Sequence, residues 1–199
     1  MGTVLFIDTE TTGVVVDALP SDRRQPHLVQ VAMVLHDAAR REFATVSLVI
    51  DPGVEIPDGA ARVHGITTEI ARSVGVPPTA AVGMFIRLSR LADVVVAYNA
   101  RFDLTVMEAA FHRAKVKWEE PKAVRCPMEY ATGIVKLPPT PRMVECGFGD
   151  KFKPPKLEEA YRHFTGFDMA GAHDALADAK ACATVYYALE DMGAWEEAA

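Results

Sequence analysis

No stretch of this chain constrains its fold and chemistry as much as Asp8-Thr9-Glu10-Thr11-Thr12-Gly13. It continues the apolar run Thr3-Val4-Leu5-Phe6-Ile7, whose β-branched density favours a strand; the Thr/Gly cluster then ends it. The strand is predicted over residues 3–8. Residues two apart on a strand point to the same face, so Asp8 and Glu10 are expected side by side at a buried strand end. Two like charges that close repel and are costly to desolvate unless a cation sits between them. Hard oxygen ligands in such a pair suit Mg²⁺ or Mn²⁺.

The 199 residues predict one domain, 1–199, long enough to bury a substantial core without disulfides or a structural metal. The net charge of −6 argues against a protein that coats DNA electrostatically. It leaves room for acidic metal ligands whose charge bound cations offset. Cys126, Cys146 and Cys182 are odd in number and widely spaced, unlike a disulfide framework or a zinc knuckle. Reduced thiols and a cytoplasmic setting are expected. No apolar stretch reaches membrane-spanning length, and the N-terminus lacks the charged region and cleavage site of a signal peptide.

Further strands are predicted at 28–35 and 43–50, an antiparallel pair across a short polar turn. Residues 58–92 read as helix in short pieces, broken by Gly65 and by Val76-Pro77-Pro78. A fourth strand, 93–98, has few charges and reads as central. Helix follows over 101–115, with Leu104, Met107, Phe111 and Ala114 on one face. A short strand (123–126), a helix (128–135), an irregular proline-rich segment (137–155) and helices at 156–164 and 172–192 complete the chain. Strands that meander first and then alternate with helices predict an α/β fold, a mixed five-stranded sheet with helices against it.

Two more segments carry acids at structurally meaningful places. Asn99-Ala100-Arg101-Phe102-Asp103 leaves the fourth strand, and sites in open α/β sheets gather outside the carboxyl ends of strands. Asp103 there serves either as a ligand or as an acid matched to a helix N-terminus. His173-Asp174-Ala175-Leu176-Ala177-Asp178 opens the last helix. An acid on the apolar side of an Ala-rich helix needs a partner, and a neighbouring His suits proton transfer near neutral pH.

Together these three segments resemble the DEDDh exonuclease superfamily, on the ribonuclease H-like fold with helices on both faces of the sheet. The resemblance runs from Asp8 to Asp178, and the five-residue step from His173 to Asp178 marks the His-containing branch. It implies that Asp8, Glu10, Asp103 and Asp178 are the ligands of two Mg²⁺ (or Mn²⁺) ions, about 3.5–4 Å apart in such sites, and that His173 is the general base. It also implies substrate contacts at Thr11, at His64 in His64-Gly65-Ile66, and along Tyr98, Asn99 and Phe102. Phe102 is also a natural core residue. Tyr98 departs from the family pattern, where His commonly precedes the Asn.

The activity so implied is 3′-to-5′ hydrolysis of terminal DNA phosphodiesters to nucleoside 5′-monophosphates. Its partner would be single-stranded or 3′-terminal nucleic acid, with a polymerase supplied in trans if the enzyme proofreads. An exoribonuclease that trims RNA 3′ ends is the alternative within the same chemistry. A non-catalytic nucleic-acid-binding scaffold is the alternative outside it.

Overall fold

A computed structural model describes residues 2–195. Five strands are β1 (Val4–Thr11), β2 (Leu28–His36), β3 (Glu42–Val49), β4 (Val94–Val96) and β5 (Val124–Arg125). Between and after them come α1 (Asp58–His64), α2 (Thr68–Val74), α3 (Pro78–Leu91), α4 (Ala100–Arg113), α5 (Pro127–Val135), α6 (Pro141–Glu145), α7 (Leu157–Thr165) and α8 (Ala175–Asp191). The strands form one sheet in the order β3-β2-β1-β4-β5. β1 pairs antiparallel with β2 and parallel with β4. The mixed five-stranded α/β architecture expected from the sequence is the one observed.

The first strand runs three residues past its predicted end, because β2 continues to pair with it through Thr11. Asp8 and Glu10 therefore stand within the strand. A register shift between Glu10 and Thr11 marks a bulge at the site, a device that re-aims side chains.

Alternation along β1 divides the core. Leu5 and Ile7 face one apolar cluster with Phe85, Met107 and Phe111 from α3 and α4. Val4 and Phe6 face the other, with Ala175, Ala179, Cys182, Ala183 and Tyr186 of α8. By the same alternation Asp8 and Glu10 share the α8 face. The small side chains of α8 let its backbone approach the sheet closely, which carries Asp178 towards the β1 carboxylates.

The predicted breaks in residues 58–92 hold for physical reasons. Gly65 caps α1 in the left-handed region at φ 76°, and Pro78 occupies the first turn of α3. The last helix starts at Ala175, three residues later than predicted, because the Asp174 side chain accepts from the Leu176 and Ala177 amides and so caps it. The proline-rich segment contains one helical turn, α6, where the sequence predicts only irregular chain. No helix among the described residues is long and apolar enough to cross a membrane.

Candidate active site

β1 is where the sheet changes from antiparallel to parallel pairing, and the crevice beyond the carboxyl ends of β1 and β4 is the place such sheets offer a ligand. All four acids singled out by sequence meet there. Glu10, His173 and Asp178 each present a donor atom within 4.8 Å of the others. Asp8 and Asp103 lie outside this triplet but within its electrostatic reach. Burial first, then the charges of Asp103, Asp178, Glu10 and Asp174, holds the Asp8 carboxyl well above the usual range. Burial, followed by Asp178, Asp103 and Asp174, pushes Glu10 up to about 8. Burial raises Asp178 to about 6, against the lowering effects of the His173 amide and ring.

Asp103 is 2% exposed, at the first turn of α4, and burial raises it to about 7 against the hydrogen bonds from Thr9. Thr9, on the opposite face of β1 from the acids, donates its hydroxyl to Asp103 Oδ1 at 2.8 Å. That buried bond favours the ionised carboxylate and fixes its orientation. Thr9→Val keeps the shape and removes the donor. We expect it to cost roughly 1.5–3 kcal/mol of stability and to slow turnover at least several-fold; thermal unfolding and steady-state rates read the two effects separately.

The approach of α8 depends on a second residue that sequence reasoning missed. Gln30 on β2 is buried and sits directly across from Glu10. Its Nε2 donates to Asp174 Oδ2 at 3.3 Å, and its Oε1 accepts from the Ala175 amide at 3.3 Å. One amide thus docks the start of α8 on the sheet. A polar residue inside the otherwise apolar run 28–35 was the available signal. Just before α8, His173 adopts φ 67° and donates its backbone N–H to Asp178 Oδ2 at 3.2 Å. Asp178 Oδ1 is buried and has no hydrogen-bond partner among the described residues.

Two clefts open on either side of the triplet. One, about 310 Å³, is lined by Glu10, Thr11, Gly13, Val14, Val63 and His64. The Thr11 hydroxyl bonds the Gly13 carbonyl within it. His64 accepts from the Ile66 amide at Nδ1, while its Nε2 is buried without a partner among the described residues. The other cleft, about 350 Å³, holds Tyr98, Asn99, Pro155, Lys156, His173 and Asp178. Tyr98 donates its hydroxyl to the Pro155 carbonyl at 2.8 Å, so the residue that departs from the family pattern ties β4 to the entry of α7. Asn99 is exposed in the left-handed region at φ 69°. Phe102 packs partly buried against the α3–α4 core and lines neither cleft.

Comparison with known proteins shows the family and the fold. The RNase T exonuclease model matches residues 5–186, which contain every acid described above. The chain belongs to the RNase T exonuclease family, within the DEDD superfamily. It is 31% identical over 192 residues to a Mycobacterium tuberculosis protein (strain CDC 1551 / Oshkosh) bearing the provisional name bifunctional exonuclease/endonuclease. That alignment covers 94% of this chain and 26% of the relative, so the chain spans about a quarter of its length. Among solved structures it is similar to E. coli exonuclease I in complex with a dT13 oligonucleotide. There the TM-score is 0.73 at 21% identity, over 96% of this chain and 41% of that one. The same enzyme with a dA16 oligonucleotide gives a TM-score of 0.70 at 22% identity, with the same coverage. These structural likenesses establish the ribonuclease H-like fold.

Proposed function

We propose that the chain is a metal-dependent 3′-to-5′ exonuclease of the His-containing branch. It would release nucleoside 5′-monophosphates from single-stranded or frayed DNA 3′ ends. The observation that carries this reading is the convergence of Glu10, His173 and Asp178, with Asp8 and Asp103 close behind, at one sheet crevice.

The donor set fits divalent cations. Four carboxylates held above their ordinary pKa cannot all be ionised at neutral pH without added positive charge, and the unpartnered Asp178 Oδ1 is an acceptor in want of one. Asp8, Glu10, Asp103 and Asp178 would hold Mg²⁺ or Mn²⁺, which when bound would neutralise charge on the phosphodiester and acidify the attacking water. The protein's own contribution is placement. Thr9 orients Asp103, and Gln30 with Asp174 seats α8, so the acids need little rearrangement as charge develops. His173, exposed at the mouth between the clefts, would take the proton of the attacking water. The cleft with Thr11 and His64 would receive the terminal nucleoside, and the cleft with Tyr98 and Asn99 the strand leading to it.

The choice of DNA rests on the likeness to exonuclease I, whose structures hold dT13 and dA16 oligonucleotides. A release assay tests the whole reading. 5′-labelled single-stranded DNA, duplex DNA with a mispaired 3′ end, and RNA are each incubated with Mg²⁺ or Mn²⁺. Stepwise shortening from the 3′ end of the DNA strands is expected, faster than for RNA. Preferential shortening of RNA would replace the DNA reading with the exoribonuclease one. Absence of release from all three, with no Mg²⁺ or Mn²⁺ binding by calorimetry, would favour a non-catalytic binding domain.

A further inference from the structure

The proline-rich segment 136–156 carries five basic residues against two acidic ones, in a chain whose net charge is −6. It has a definite shape. An antiparallel bridge between Leu137 and Lys153 pinches its base. Lys153 and the Lys156 amide both bind Glu159, and Tyr98 holds the Pro155 carbonyl, which anchors the returning strand beside the His173 cleft. At the tip, α6 ends in a Schellman motif. Gly147, at φ 83°, donates to the Val144 carbonyl, and the Phe148 amide donates to the Met143 carbonyl at 2.8 Å.

The residue after the glycine of such a motif ordinarily packs its side chain back on the helix. Phe148 instead is 55% exposed, and Phe152 nearby is 45% exposed. Lys136, Arg142 and Lys156 are exposed and make no ion pair among the described residues; Lys151 pairs only with its neighbour Asp150. A locally ordered arm thus presents two aromatic faces among exposed cations, and its base lines the cleft that holds His173 and Asp178. Aromatic platforms interleaved with cations are the chemistry that grips single strands, because every base has a stacking face and every nucleotide a phosphate.

We infer that the 136–156 arm is a second binding surface for single-stranded nucleic acid. Phe148 and Phe152 would stack bases of the strand that trails from the 3′ end in the catalytic crevice, and Arg142 and Lys151 would meet its phosphates. The inference rests on the exonuclease reading. It adds a length-dependent interaction that a dinucleotide, confined to the carboxylate clefts, does not make.

The test compares kcat/KM for a dinucleotide and for a 20-nucleotide single strand. In the Phe148→Ala/Phe152→Ala protein the value for the long strand should fall roughly 10–100-fold, mainly through KM, while the dinucleotide value stays within about twofold of wild type. Arg142→Gln/Lys151→Gln should flatten the salt dependence of long-strand binding, lowering the log–log slope by about 0.7 for each phosphate that is no longer neutralised. Both aromatic side chains are exposed, so an unchanged melting temperature checks that folding is intact. Unchanged long-strand kinetics in the double Phe variant would overturn the inference and point the arm at another partner, such as a protein. Equal loss on both substrates would overturn it too, by making the arm a support of the crevice. If wild type cleaves neither substrate, the exonuclease reading itself fails. Fluorescence anisotropy with the same 20-nucleotide strand then still reads the arm, and equal affinities of wild type and the double Phe variant would count against it.

Discussion

Asp8→Ala and Asp178→Ala should each reduce turnover by roughly 10²–10³-fold or more without unfolding the protein. The two effects have opposite signs for one reason. Both are held above their ordinary pKa, Asp8 by burial and the surrounding carboxylates and Asp178 by burial against the lowering effect of His173, so the ionised form of each opposes folding when no cation is present. Removing one member relieves that repulsion. In EDTA at pH 8, both variants are therefore expected to melt at or above the wild-type temperature while failing to release nucleotides with Mg²⁺. A purely structural role would move both readouts downward together. Retained Mg²⁺-dependent release by either purified variant would falsify the ligand assignment. His173→Ala is the informative contrast. It leaves the four carboxylates in place, so metal binding by calorimetry should persist, while turnover near neutral pH falls by roughly 10²–10⁴-fold. An unchanged pH–rate profile in that variant would remove His173 from the proton-transfer role.

The second large effect is a pH-dependent loss of stability that divalent cations reverse. Unfolded Asp and Glu titrate near pH 4, whereas in the folded protein burial pushes Asp178 up to about 6, Asp103 to about 7 and Glu10 to about 8. Below about pH 4 both states hold these protons and no difference arises. Between there and the folded values the native state keeps protons that the unfolded chain has released. Stability therefore declines as pH rises through that window and levels off above it. Screening at the partly exposed Glu10 and Asp178 reduces their share, so the overall effect is on the order of a few kcal/mol. For a chain of this size that corresponds to a melting temperature roughly 5–10 °C lower at pH 8.5 than at pH 5 in EDTA. Saturating Mg²⁺ or Mn²⁺ binds the ionised carboxylates of the native state and should restore most of the difference at pH 8.5. A melting temperature that is flat across this range in EDTA, or that rises with pH, would show that the carboxylates are not the coupled, desolvated cluster described above.

The order of the elements and the identity of the acids were legible in the sequence because the physics behind them is local. Strand periodicity puts Asp8 and Glu10 on one face whatever β1 packs against. Gly65, Pro78 and Gly166 start or stop helices through their own backbone preferences. The step from His173 to Asp178 depends only on where α8 begins, and Asp174 caps it within three residues. The bounds of β1 and α8 were less legible, because pairing with β2 extends the strand through Thr11 and the Asp174 cap delays the helix to Ala175.

What the chain order could not decide is how closely these pieces meet. Thr9 reaches Asp103 across 94 residues of sequence, and Gln30 reaches Asp174 across 144. Thr9 sits inside the first acidic motif and Gln30 inside an apolar run, but neither position names its partner; each matters because the sheet order β2-β1-β4 and the alanines of α8 bring that partner within hydrogen-bond distance. The same packing draws Glu10, His173 and Asp178 into one triplet and sets Asp8 and Asp103 beside it. It also gives the proline-rich arm a fixed base, through Tyr98 and Pro155, where composition alone read as an irregular loop. By itself, then, the sequence determined which side chains can carry charge at the end of which element. The tertiary structure determined that their charges share one poorly solvated crevice, because distance and desolvation are properties of the packed chain and not of its local segments.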